Sequence, residues 1–175
     1  GFACFLALNS FSLWGFALLP ETTLGEHAQL LWNTPLSLSN VAAFAVFFAG
    51  AYRAPRLLGR SPLVAAVALL SAAVALMCLS TLLQNPAVLA AAGTCMGVGT
   101  TCCFFCWARA LFADGPDMAK VEIVLGSVLS AVPYLAFFTL DASTIALTIA
   151  APATLNVAAL LGHEWIARRE GRAEV

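Results

Sequence analysis

Charge is what this 175-residue chain has least of: Asp, Glu, Lys and Arg make up 10% of it, against about 25% in an ordinary soluble domain. With 62% hydrophobic residues and a mean hydropathy of +0.93, it carries more apolar surface than a soluble fold of this size can bury. Lipid is the solvent that resolves the excess. The net charge of −1 is uninformative, so the placement of the charges has to carry the argument.

Other absences narrow the reading further. No basic stretch precedes the first apolar run and no small-x-small cleavage site follows before Glu21, so a secretory signal peptide is not expected. Residue 1 is Gly, which fits a chain cut inside its first helix. All six cysteines (Cys4, Cys78, Cys95, Cys102, Cys103 and Cys106) lie within apolar runs, which excludes a secreted disulfide framework. Cys103 and Cys106 form a C-x-x-C with no second ligand pair near it in sequence, and read as small buried apolar residues. His163-Glu164 opens like H-E-x-x-H, but the fifth position is Ala167, so the zinc motif fails. His27 is expected in an outer loop beside Glu26 and Trp32, solvated or interfacial, with pH sensing as the alternative. Paired carboxylates, a nucleophile–base pair and a metal cluster are all missing, so neither an enzyme nor a metal or cofactor site is expected.

What the chain does have is long apolar runs, each near the roughly 20 residues needed to cross a hydrocarbon core. They are 2–19, 36–52, 62–83, 86–112, 121–140 and 143–162, with 163–175 as a short cytoplasmic tail. Unpaired backbone amides in hydrocarbon cost several kcal/mol each, and strand-like alternation is absent, so the runs predict an all-α integral membrane bundle of six helices. Thr34-Pro35, Ser61-Pro62 and Asn85-Pro86 each put a capping side chain before a proline at an expected helix start, where the missing N–H costs nothing.

All eight cations fall on one side of this six-span arrangement: Arg53, Arg56 and Arg60 between the second and third spans, Arg109 and Lys120 around the next inner turn, and Arg168, Arg169 and Arg172 after the sixth. The other side carries Glu21, Glu26 and Asp141 and no cation. The excess of cations on cytoplasmic loops makes the basic side internal, placing both ends in the cytoplasm and the chain in the cytoplasmic membrane, with the lipid bilayer as partner. No ionisable residue falls near the middle of a run, so no proton relay is visible and any ligand is expected to be neutral or weakly polar.

Within the runs, Gly93 and Gly97 form a G-x-x-x-G followed by Gly99, a face expected to admit a neighbouring helix closely. Trp107 and Arg109 are expected to anchor the inner end of that helix at the interface. Pro133 and Pro152 interrupt the fifth and sixth runs, each freeing a carbonyl, and such kinks often face a cavity. Asn156 lies one turn beyond Pro152 and Asn9 sits mid-span in the first run, so Asn9, Pro133, Pro152 and Asn156 are the candidate ligand-cavity residues.

Six spans, both ends inside and a basic loop after the second resemble the N-terminal half of a major-facilitator-type fold. The loop from Gly50 to Arg60 keeps Gly59-Arg60 of that fold's loop motif and lacks its Asp. The segment Gly97-Val-Gly-Thr-Thr-Cys-Cys-Phe-Phe-Cys-Trp107-Ala-Arg109 resembles more closely the membrane domains of LuxR-type helix-turn-helix regulators of Coriobacteriia, a glycine-rich run ending in Trp. That resemblance implies a sensory membrane domain with a second six-helix half, an unidentified small-molecule ligand and a cytoplasmic DNA-binding domain beyond this chain, which itself binds no nucleic acid. The alternatives are half of a major-facilitator-type transporter of a neutral small molecule, and a stand-alone six-helix membrane protein.

Overall fold

The computed structural model describes residues 2–14, 27–53, 61–113, 115–137 and 142–169. Among them all regular structure is helical: α1 (Phe2–Trp14), α2 (Ala28–Arg53), α3 (Ser61–Leu83), α4 (Pro86–Ala113), α5 (Pro116–Phe137) and α6 (Ala142–Arg169). Three stretches among the described residues are long and apolar enough to cross a membrane: Ala28–Gly50, Pro62–Ser80 and Pro86–Leu111.

Local chemistry sets the helix ends. Asn85 Oδ1 accepts from the Ala87 amide at 2.9 Å and caps α4 directly before Pro86, while Gln84 takes the left-handed conformation (φ 49°) that ends α3. Gly115, with φ 90°, makes the corresponding stop after α4, and Pro116 opens α5. α2 departs from the sequence expectation. It begins at Ala28 rather than near residue 36, Pro35 lies inside it rather than at its start, and its first turn closes through the Leu31 amide on the His27 carbonyl at 2.9 Å. The reason is electrical. Pro35 deprives one carbonyl, that of Leu31, of its donor, whereas uncoiled backbone at membrane depth leaves several polar groups unpaired at several kcal/mol each. Trp32, expected in an outer loop, is therefore a helical residue and fully buried. α5 likewise starts ahead of residue 121, and α6 runs beyond 162 through most of the expected tail.

Side-chain register fixes the helix directions. Trp32 meets Gly93, Leu36 meets Gly97, Asn40 bonds Thr101 and Phe44 touches Phe105, all at the constant separation of 61 positions. α2 and α4 therefore run parallel. Phe2 against Trp107 and Phe5 against Phe104 make α1 antiparallel to α4. Cys103 beside Asn156 and Trp107 beside His163 make α6 parallel to it. The start of α1 and the ends of α2, α4 and α6 thus share one end of the bundle, where Arg53, Arg109, Lys120 and Arg169 are exposed.

α4 is the hub, packed against each of the other five helices. α3 shows how the packing is encoded: Leu63, Ala66, Leu70, Ala73, Met77 and Ser80 are buried at alternating steps of three and four, large residues alternating with small. Its opposite face exposes Val64, Leu79 and Leu82. α2 similarly exposes Leu38, Val41, Val46 and Phe48, and α5 exposes Val121, Val124, Val128 and Val132. Such outward apolar stripes suit lipid and not water.

The α2–α4 contact has the narrowest tolerance. A Cβ on Gly97 would run into the Leu36 carbonyl and Ser39 Oγ, and one on Gly93 would stand 2.7 Å from the Trp32 carbonyl. One on Gly99 would meet only side chains, Leu70 at 3.0 Å and Leu69 at 3.3 Å, and one on Gly162 meets nothing within 4 Å. Backbone cannot yield as a side chain can, so alanine substitution is expected to destabilise in the order Gly97, Gly93, Gly99, Gly162. Gly97→Ala should cost about 1–3 kcal/mol or more and Gly162→Ala should be neutral or slightly stabilising. Thermal unfolding of the four variants in detergent micelles checks the order.

Candidate functional site

Polar side chains buried in an apolar bundle are costly unless paired, so their partners show where the sequence has placed specificity. Ser80, Thr100, Thr101 and Asn156 are the fully buried polar residues among those described. Ser80 and Thr100 are satisfied locally, returning their hydroxyls to carbonyls of their own helices: Ser80 to Met77 at 2.7 Å, Thr100 to Met96 at 2.9 Å. Thr101 and Asn156 make bonds that cross between helices.

The α4–α6 crossing is a closed bridge. Trp107 Nε1 donates to Asn156 Oδ1 at 2.8 Å, and Asn156 Nδ2 donates to Cys103 Sγ at 3.2 Å. Cys103 and Trp107 lie one turn apart on α4 and so present one face to the single amide. Pro152, also buried, lies one turn before Asn156 on the same side of α6 and removes the amide that would otherwise serve the Thr148 carbonyl. Trp107 is 4% exposed, so it is an interior donor and not the interfacial anchor expected of it. Its ring is framed by Phe2 of α1 at 6.0 Å and His163 of α6 at 6.5 Å between centroids, both edge-on.

The second crossing joins α2 to α4, where the single Thr101 hydroxyl proton is shared between Asn40 Oδ1 at 3.0 Å and the Gly97 carbonyl at 2.9 Å. Just below it Phe44, Phe47, Phe104 and Phe105 interlock, the Phe47 and Phe105 rings stacking at 4.5 Å, and Phe104 reaches Phe5 of α1.

The four expected cavity residues lie on three helices, α1, α5 and α6. Pro152 and Asn156 share the α4-facing side of α6; Asn9 is half-buried on α1; the side chain of Pro133 lies outside the described residues. Gly93 and Gly97 face α2, and Gly99 faces α3. Of the cations, Lys120 pairs with Asp117 at 3.0 Å on the surface, and Arg169 lies 3.9 Å over the Trp165 ring, in reach of a membrane interface. Arg56, Arg60, Arg172 and the Arg168 side chain lie outside the described residues. No group of His, Cys, Asp or Glu able to hold a metal occurs among the described residues. The partners of Asn156 escaped sequence reasoning because indole–amide pairing leaves no spacing signature; the one available hint was the turn-apart pair Cys103 and Trp107.

The bridge predicts a measurable coupling. Asn156→Leu removes the acceptor and strands the Trp107 N–H in an apolar interior, for an expected loss of about 1–3 kcal/mol. Trp107→Phe removes the stranded donor, so the double variant should be less destabilised than the sum of the two single ones. A double-mutant cycle on unfolding in micelles reads this out, and full additivity would mean that the bridge carries no energy.

Comparison with protein-family models, with curated proteins and with solved structures returns no match for this chain.

Proposed function

We propose that the chain is a non-catalytic six-span unit of the cytoplasmic membrane, one half of a major-facilitator-like domain that serves as the sensory part of a LuxR-type regulator. The observation that carries this reading is the Trp107–Asn156–Cys103 bridge. It joins two helices by hydrogen bonds alone, with no charged group in it, near the end of the bundle where the cations are exposed. Interhelical hydrogen bonds in membranes are worth only about 0.6 kcal/mol on average, so such a bridge holds one arrangement without locking it. A ligand that favours a second arrangement of α4 and α6 would shift the balance and move the end of α6.

The resemblance segment supports the same reading on physical grounds. Its residues serve three interfaces at once: Gly97 on α2, Gly99 on α3, and Cys103 with Trp107 on α6. A segment with this many partners couples any local shift to the whole bundle. The parallel course of α2, α4 and α6 supports both ends of the chain lying on the cation side, which the charge distribution makes cytoplasmic.

Topology is tested by reporter fusions. A fusion after Asn85 should be active as a periplasmic reporter and silent as a cytoplasmic one, with the reverse after Gly115 and after Val175. The sensory role is tested in the full-length gene product. A second six-helix set followed by a helix-turn-helix domain is expected, and Asn156→Leu should change transcription from a reporter promoter at unchanged protein level. Twelve helices with no DNA-binding domain would favour the transporter.

A further inference from the structure

The two sides of α6 differ as the helix approaches the cation end of the bundle. Pro152, Ala153, Asn156 and Leu160 are buried on one side, where α1, α3 and α4 pack. Ala158, Leu161, Trp165 and Arg169 recur at steps of three, four and four, which places them in one column on the other side. All four are exposed, and so is Ile166 beside them. Toward the cation end the column passes from small to aliphatic, then to aromatic, then to cationic.

That order matches the polarity profile of one lipid leaflet. A helix rises about 1.5 Å per residue, so Leu161 and Arg169 stand about 12 Å apart along α6. The polar layer on each side of the roughly 30 Å hydrocarbon core is about 5–7 Å thick. The column is therefore long enough to cross the whole boundary. Leu161 then lies among acyl chains, and Trp165 stands at the level where indole rings collect.

The direction of the Arg169 side chain is an independent observation. Its guanidinium lies 3.9 Å over the Trp165 ring, which belongs to the preceding turn and so stands nearer the hydrocarbon. A cation served by water alone would reach the other way, out of the interface. Lys120 shows the contrast, since its charge is met by Asp117 Oδ1 at 3.0 Å. No carboxylate pairs with Arg169 among the described residues. An indole face attracts the charge, but it cannot receive all five N–H donors of a guanidinium. The group is thus held at headgroup depth with donors left for an acceptor of opposite charge. A phosphate supplies that charge together with paired oxygens that fit the guanidinium fork.

We propose that the Leu161–Trp165–Arg169 column of α6 is a binding site for one anionic phospholipid of the cytoplasmic leaflet. The headgroup phosphate accepts from the Arg169 guanidinium, the Trp165 ring lies along the glycerol backbone, and the acyl chains descend over Leu161 and Ala158. A lipid of net negative charge is preferred, because a choline headgroup brings its own cation and leaves Arg169 less to neutralise. A soluble phosphate compound is a poorer occupant, since it would leave Leu161 and Trp165 uncovered. The site rests on the six-span reading, in which α6 crosses the membrane toward the cytoplasm, and stands apart from the regulatory one.

The test is lipid retention by the full chain in a nonionic detergent. Dioleoyl phosphatidylglycerol and dioleoyl phosphatidylcholine are supplied in equal amounts, and the first lipid bound is read by native mass spectrometry. One cation facing an anionic headgroup is worth about a fivefold preference, so phosphatidylglycerol should be retained about fivefold over phosphatidylcholine. Arg169→Gln should bring the ratio close to one. Arg53→Gln, exposed at the same end of the bundle on α2, should leave it unchanged. Equal retention of the two lipids by the unaltered chain overturns the site. An equal loss in both variants overturns it in favour of diffuse attraction among the cations, and release of phosphatidylglycerol by glycerol phosphate overturns it in favour of a soluble ligand. Leu161→Cys, in membrane fragments open on both faces, separates failure of the site from failure of the six-span reading. Protection of that cysteine from a membrane-impermeant maleimide is expected, and equal lipid retention would then condemn the site alone. Ready labelling would show that α6 does not lie in lipid at that depth, and the six-span reading would fall with the site.

Discussion

The contact on which the rest of the bundle depends is the backbone approach of α2 to α4 at Gly93 and Gly97. Between membrane helices there is no hydrophobic driving force of the kind that assembles soluble cores, since lipid is as apolar as a leucine side chain. Packing and hydrogen bonds have to supply the attraction, and both fall off steeply with distance. Side-chain-free surface on α4 lets the Trp32 and Leu36 carbonyls come within reach of a Cβ that is not there. That closeness sets the register of 61 positions, and the register brings Asn40 to Thr101 and Phe44 to Phe105.

From this pairing the remaining arrangement follows in steps. With α2 and α4 parallel, α3 returns between them through the two-residue turn at Gln84 and Asn85, where the cap on Ala87 fixes where α4 starts. α4 is then left with two further faces, one for Gly99 against Leu70 and one for Cys103 and Trp107 against Asn156. The bridge to α6 differs in kind from the α2 contact. Glycine packing is steric and tolerates no alternative, whereas the amide bridge is polar and pairs groups that keep their stabilisation only while both are present. A bundle with one rigid seam and one polar seam has a natural place to move.

Much of this was legible in the sequence, for physical reasons that differ by element. α3 and α4 stand out because an apolar run bounded by a capping Ser or Asn and a proline leaves little freedom over where a membrane helix starts. Gly93 and Gly97 were legible as a bare face, because no other residue type leaves one. The start of α2 was not, because Pro35 reads as a beginning wherever its neighbours are unknown. Only the cost of unpaired backbone in lipid decides that the helix continues through it. Trp107 was misplaced for a related reason: its position near a helix end suggests an interface, and its burial depends on Asn156, 49 positions away. The column from Leu161 to Arg169 is written at helical spacing, but it becomes visible only when α6 is known to run to Arg169.

The central claim is that α2 and α4 run parallel in close contact, and one cross-link tests it. A photoreactive benzophenone amino acid replacing Phe47, activated in membranes, should attach within α4 close to Phe105, its stacking partner. Attachment near Thr94 would mean that the two helices run antiparallel about Asn40 and Thr101, and attachment outside α4 would mean that they are not neighbours. Either result would contradict the account.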